Sequence, residues 1–190
     1  MARNGSVRGG AIVVVVMGKT GGREMLSGSD HGLMLVYGHL DAVIESRGAQ
    51  HLPVSQWFVR AVHAYIAVVT APGVDGPLYA LDMRLRPSGN KEPVAVSIGS
   101  LQRYHASEAW AWERMALTGT RVIAGPAALR AKADGAIRDS LTHAGKPAKI
   151  RTDAVAMRAR LARELPPEGK LDVKLRPGGS MEVKFVAQVL

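Results

Sequence analysis

Asp30 and Gly32 open an apolar segment, seven residues after the pair Gly21-Gly22. On a strand, residues i and i+2 point to the same side, so carboxylates at that spacing can share metal ions. Here the first place holds Asp30 and the second holds Gly32, which has no side chain. Glycines in a turn let phosphates come close to the backbone. A Gly-rich turn beside Asp30 suits a site for phosphates and a metal ion, with no second carboxylate at i+2.

A second group of charged residues follows at Asp82, Arg84 and Arg86. If 78–86 is a strand, these three share one face and Leu81, Met83 and Leu85 take the other. A carboxylate beside two guanidinium groups suits a metal ion next to a triphosphate, because Arg binds phosphate oxygens in pairs. A surface ladder of ion pairs is the competing explanation. The same i, i+2 arrangement recurs at Asp172 with Lys174 and at Glu182 with Lys184.

The elements that must position these residues show in the apolar pattern. Ala11 to Met17 is a valine-rich run without polar alternation, which predicts a strand buried on both faces. A second strand is expected over 32–37, joined to the first by the Gly-rich turn. Val54 to Val69 has helical spacing, and Ala71-Pro72-Gly73 stops it. One long helix is expected over 101–118, with Trp110 and Trp112 read as packing residues. Further helices are expected over 126–141 and 149–165. Short strands are expected at 171–175 and 181–185, flanking Pro177-Gly178-Gly179. Residues 1–10 read as a flexible lead-in and 38–50 as a polar linker.

Composition narrows the class. The 190 residues are 47% hydrophobic, enough for one core of ordinary size with or without a smaller appendage. No apolar run approaches the ~20 residues needed to cross a membrane. There is no cysteine, which excludes disulfides and thiolate metal sites and agrees with an expected cytoplasmic location. The net charge of +9 is uneven: residues 1–120 hold 11 Lys/Arg against 9 Asp/Glu, and residues 121–190 hold 14 against 7. The basic half suits a nucleotide, a nucleic acid or an acidic protein, or is a set of solvated helix faces. Regularly placed exposed aromatics, as needed to stack on bases, are not evident, so nucleic acid is the weaker of these partners. The six histidines lack zinc-site spacing, and Gly18-Lys19-Thr20 lacks the earlier glycine of a P-loop.

Several segments carry a resemblance when taken in order. They are Gly18-Lys19-Thr20-Gly21-Gly22-Arg23-Glu24, Gly28-Ser29-Asp30, Arg84-Leu85-Arg86-Pro87-Ser88-Gly89-Asn90 and Glu108-Ala109-Trp110-Ala111-Trp112-Glu113. Arg121-Val122-Ile123-Ala124-Gly125 and Gly178-Gly179-Ser180-Met181-Glu182-Val183-Lys184-Phe185 complete the set. Over residues 11–190 the chain resembles the bacterial glutamine synthetase adenylyltransferases of the polymerase-β-like nucleotidyltransferase superfamily. Arg84-Leu85-Arg86-Pro87-Ser88-Gly89 and the Trp-x-Trp-Glu segment resemble their carboxy-terminal, adenylylating half. Those enzymes are several times longer, so the chain resembles a catalytic-domain fragment or a truncated paralogue.

The resemblance implies an α+β fold, with a mixed-sheet nucleotidyltransferase core over 1–97. It implies a largely helical region over 98–190 that returns short strands to the site. It implies transfer of AMP from ATP to a tyrosine hydroxyl of glutamine synthetase with Mg²⁺, and a nitrogen-signalling regulatory protein as a further partner. By position Asp30 and Asp82 become catalytic and metal-binding carboxylates, and Glu182 a further metal residue. Gly21, Gly22, Ser29, Arg84 and Arg86 become nucleotide-binding residues. Three departures accompany these matches. The family has an acid at 32, where this chain has Gly32, and often another at the position of Gly38. In the last motif Glu182 stands for Asp, and Lys184 for Glu. Two readings follow: an adenylyltransferase with an altered metal site, or a catalytically inactive nucleotide-binding or regulatory paralogue.

Overall fold

The computed structural model describes residues 2–26, 28–74, 76, 79–87, 89, 93–143, 145–169 and 171–189. Its centre is the strand pair β1 (Ala11–Met17) and β2 (His31–Gly38), antiparallel with Val14 opposite Leu35. β5 (Arg121–Ala124) pairs with the other edge of β1, with a bulge between Val14 and Val15. β3 (Leu81–Asp82) and β4 (Ala95–Ser97) share the outer edge of β2, both parallel to it. The result is a mixed five-stranded sheet.

Both faces of this sheet are covered, as the unbroken valine run requires. Val13, Val15, Met17, Met34 and Val36 pack on one face against Leu101, Leu117, Leu129, Ala133 and Ile137. Val16, Leu33, Leu35 and Tyr37 pack on the other against Val54, Phe58 and Val62. The first layer is built by α3 (Ile98–Ser107), α4 (Ala111–Leu117) and α5 (Ala127–Thr142), the second by α2 (Val54–Val69). The first cluster crosses the expected 97/98 boundary, and β5 comes from the expected helical half. α6 (Pro147–Glu164) and α7 (Ser180–Val189) pack on each other and on α4.

Local signals account for several ends. The Ser100 N–H donates to Ser97 Oγ at 3.0 Å and so caps α3. Pro147 occupies the first turn of α6, where its missing N–H costs nothing. The Thr70 hydroxyl donates to the Ile66 carbonyl at 2.8 Å where α2 ends.

Other elements differ from expectation, each for a local reason. The helix expected over 101–118 is split at 108–110. Glu113 folds back, accepting the Trp110 N–H at 2.9 Å and the Tyr104 hydroxyl at 2.7 and 2.8 Å, which starts a new helix. Trp110, expected inside, is 69% exposed at this joint. The Gly18–Gly22 turn closes as the short helix α1. Of the strand expected over 78–86, Leu81–Asp82 pairs in the sheet, and Leu78 lies outside the described residues, as do Ser88 and Asn90 of the following turn. The strand stops because Asp82 Oδ1 accepts the Arg84 backbone N–H at 3.0 Å, a local turn that competes with the ladder.

The strands expected at 171–175 and 181–185 are not formed. Around 172–175 the chain turns on Asp172, whose Oδ1 accepts the N–H groups of Lys174 and Leu175, each at 2.9 Å. Residues 180–189 are helix α7, and short apolar/polar alternation cannot separate the two periods over so few residues. The expected lead-in is tied down at Gly5 and Ser6: Ser6 bridges Arg47, and the Trp57 indole N–H donates to the Gly5 carbonyl at 3.1 Å.

Candidate functional site

The site is built where β1 ends and β2 begins. Gly18 leaves β1 with φ +58°, and Arg23 closes α1 with φ +62°, the left-handed region. α1 is held from the side. The Arg121 guanidinium donates from Nε to the Gly21 carbonyl at 2.5 Å and from Nη2 to the Thr20 carbonyl at 3.0 Å. A Cβ on Gly21 would lie 1.8 Å from the Gly119 carbonyl oxygen, so Gly21 serves close backbone approach between α1 and the 117–121 turn. Gly22 is exposed.

The chain then returns through the Asp30 loop. Ser29 is buried, and its Oγ accepts the Leu26 N–H at 3.2 Å and the Lys19 ammonium at 3.4 Å. Thr20 Oγ1 and His31 Nδ1 lie 3.3 Å apart, and the His31 ring meets the edge of Tyr79 with centroids 4.3 Å apart. Asp30 is exposed at the mouth of this loop.

β3 brings the second carboxylate. Gly32 is opposite Asp82 in the parallel register, and His31 opposite Leu81. Opposed residues on paired strands point to one side, so a carboxylate at 32 would stand on the face of Asp82. Arg84 folds back on Asp82, with Nε 2.9 Å from Oδ1 and Nη2 2.7 Å from Oδ2. Those bonds hold the Asp82 carboxyl below its ordinary range, against the opposing effect of partial burial. Asp82 first, and the Asp30 charge in addition, keep the Arg84 guanidinium more firmly protonated. The structure thus gathers Asp30, Asp82 and Arg84.

It does not bring every expected residue there. Arg86 turns its Nη1 to the Met83 carbonyl at 2.6 Å, beside the cleft lined by Met17, Tyr104 and Glu113. Glu182 lies on α7, where its carboxylate pairs with Arg158 of α6 and accepts the Gly178 N–H at 3.0 Å. Lys184 is on the same helix. Among the described residues no three His, Asp or Glu side chains come together as a metal cage. Asp30 and Asp82 are the residues that could hold magnesium, in the form in which substrate phosphates and water supply the other ligands.

Arg121, Lys19 and Thr20 support the site, although the sequence reading gave none of them a role there. Arg121 stood inside a recognised segment, but nothing in that segment says that its guanidinium reaches back to residues 20 and 21.

A mixed sheet with a carboxylate loop, a glycine turn and an arginine at one edge is a nucleotidyltransferase-type α+β unit. The family model of glutamate-ammonia ligase adenylyltransferase matches residues 2–136, and the chain belongs to that family. It is 43% identical over 189 residues to the bifunctional glutamine synthetase adenylyltransferase/adenylyl-removing enzyme of Agrobacterium fabrum, covering 100% of this chain and 19% of that protein. The like-named enzyme of Rhizobium meliloti is 43% identical over 187 residues, 98% of this chain and 19% of the relative. That of Bradyrhizobium diazoefficiens is 39% identical over 189 residues, 100% and 19%. The chain spans about a fifth of the length of these relatives.

Proposed function

We propose that this chain is an adenylyltransferase unit that moves AMP from ATP to a tyrosine hydroxyl of glutamine synthetase. The observation that carries the proposal is the register of Gly32 with Asp82, which sets Asp82 and its Arg84 partner beside the Asp30 loop. Family membership and the names of the relatives support adenylyl transfer onto glutamine synthetase.

In this reading the tyrosine oxygen attacks the α-phosphorus of ATP. The bond between that phosphorus and the α,β-bridging oxygen breaks, the phenolic proton is released, and pyrophosphate leaves. A phenol with an ordinary pKa of about 10 is a poor nucleophile near neutral pH. Bound Mg²⁺ would lower that barrier and neutralise the phosphates. Arg84 would leave Asp82 for the β- or γ-phosphate, where a forked guanidinium meets two oxygens at once. Asp30, already exposed, needs no such exchange. Gly22, Ser29 and the Lys19 ammonium would border the phosphates, and Arg86 would brace the turn that carries Arg84. Glutamine synthetase, and a nitrogen-signalling protein beside it, are the proposed protein partners, and the cytoplasm is the proposed location.

The inactive nucleotide-binding paralogue is the second reading, favoured by one observation. Asp82 has both oxygens engaged by Arg84 and faces a residue without a side chain. Incubation with α-labelled ATP, Mg²⁺ and unmodified glutamine synthetase separates the two. Label on the synthetase, lost in Asp30→Asn, supports the transferase. Nucleotide binding without transfer supports the paralogue.

A further inference from the structure

We propose that the cavity beside the first turn of α3 binds the phosphate or carboxylate group of a small organic anion. The proposal does not depend on AMP transfer. The cavity measures about 340 Å³, and its polar lining includes Tyr37, Ser55, Ser97, Ser100, Arg103 and Glu108. Tyr104 also borders it, with its hydroxyl donated to Glu113. The cavity is separate from the Asp30 and Asp82 site. Tyr37 stands five residues beyond Gly32 on β2, roughly 16 Å at about 3.3 Å per residue.

Two positive features meet in this cavity. The N-terminus of α3 carries the positive end of the helix dipole. The Arg103 side chain folds back onto that turn: its Nη2 donates to Ser100 Oγ at 3.2 Å, and a Cβ on Gly99 would lie 3.3 Å from its Nη1. Arg103 makes no ion pair among the described residues. A guanidinium and a helix N-terminus repel each other unless an anion lies against both. The hydroxyls supply further donors. Ser100 Oγ accepts from the Ser97 hydroxyl at 2.8 Å and from Arg103, which leaves its own proton to be donated. Tyr37 is 7% exposed, and its hydroxyl has no hydrogen-bond partner among the described residues. Burial pushes the Tyr37 pKa up, so the hydroxyl keeps its proton and is a donor. A buried hydroxyl ordinarily has a partner, and here the open side is the cavity. A forked guanidinium with two hydroxyl donors is a donor set for an oxyanion. Glu108, the acid on the lining, follows the last turn of α3, roughly 12 Å from Ser100 at 1.5 Å rise per residue. Over that distance salt screens its repulsion, and the Arg103 end is left to the anion.

The test follows the backbone amides and the Arg103 side chain of the whole 190-residue protein by NMR. Inorganic phosphate, methyl phosphate or acetate is added, without nucleotide or metal. Saturable shifts of the Gly99 and Ser100 amides and of the Arg103 Nε–H are expected, with a millimolar or tighter dissociation constant for at least one anion. Arg103→Ala, at an exposed position, should weaken binding at least tenfold. Tyr37→Phe, which removes only the hydroxyl, should weaken it at least threefold. Asp30→Asn should leave it unchanged. Tighter binding of the phosphates assigns the site to phosphate esters, tighter binding of acetate assigns it to carboxylates, and equal affinities assign it to both. Absence of saturable shifts with all three anions, or binding that survives both Arg103→Ala and Tyr37→Phe, overturns the proposal. So does loss of binding in Asp30→Asn, which would put the anion in the nucleotide site.

Discussion

Arg84 closes on Asp82 as a two-pronged pair, its Nε and Nη2 each within 2.9 Å of a different carboxylate oxygen. The pair sits at an exposed edge, with the Arg84 side chain 75% accessible, so its contribution to stability is small. Its interest lies in what replaces it. In the proposed function a triphosphate would offer Arg84 acceptors in place of Asp82 and free that carboxylate.

Arg84→Ala should therefore weaken ATP binding by about tenfold or more, in line with loss of a charge-assisted bidentate contact. AMP, with one phosphate, should lose less. Titration calorimetry with both nucleotides and Mg²⁺ reads the difference. An equal loss for both returns Arg84 to a structural ion pair.

Gly32→Asp should raise magnesium-dependent nucleotide affinity and AMP transfer, because residue 32 shares a face with Asp82. The added Cβ would lie 3.1 Å from the Met17 carbonyl oxygen and the new charge would face Asp30, so a cost of about 1–2 kcal/mol in stability is expected without ligand. Lys184→Glu should add nothing, since Lys184 stands on α7, which packs on α6 and α4. Parent, two single variants and the double variant are compared by transfer assay and thermal melting. Four equal activities, with the parent fully active, remove position 32 from the metal site.

The two adjacent glycines should answer differently to one methyl group. Gly21→Ala drives a Cβ to 1.8 Å from the Gly119 oxygen, a backbone atom that cannot step aside, and should cost about 2–4 kcal/mol. Gly22→Ala meets only the Glu24 side chain at 3.1 Å, which can rotate away, and should change stability by less than ~1 kcal/mol. Urea unfolding of both variants checks this. A mild Gly21→Ala would mean that the 117–121 turn is free to move.

His105 should make the protein acid-sensitive. It is buried on α3 with Nδ1 3.1 Å from Ser140 Oγ. Burial, helped by the nearby Arg114 charge, lowers its pKa to about 4. Above about pH 6.5 the ring is neutral folded or unfolded and has no effect on the balance. Between there and about pH 4 the unfolded chain takes up a proton that the native state refuses, so stability falls by about 2–3 kcal/mol as pH drops. Chemical denaturation at pH 7 and pH 4.5 should show the slope in the parent and a shallower one in His105→Gln. Identical slopes would assign the acid sensitivity to other groups.

Elements with long periodic patterns were legible before any coordinates. The valine run gave β1 over Ala11–Met17, and helical spacing gave α2 over Val54–Val69, because burial on a sheet or one helix face leaves its period in the residues themselves. The ordered segments from Gly18 to Phe185 were enough to place the chain in its family. Asp30, Asp82 and Arg84 were named from spacing alone. Tertiary structure decided what their neighbours are. The facing of Gly32 and Asp82 depends on two strands separated by helix α2, and no local pattern carries a register. Glu182 and Lys184 alternate as a strand would, yet both stand on a helix packed against α6, where residues two apart no longer share a face, and Glu182 goes to Arg158. Arg121 gained its role from the pairing of β5 with β1, which brings a residue a hundred positions away onto the carbonyls of Thr20 and Gly21. A contact of that range is fixed by the packed sheet, since only the folded chain brings both ends within hydrogen-bond reach.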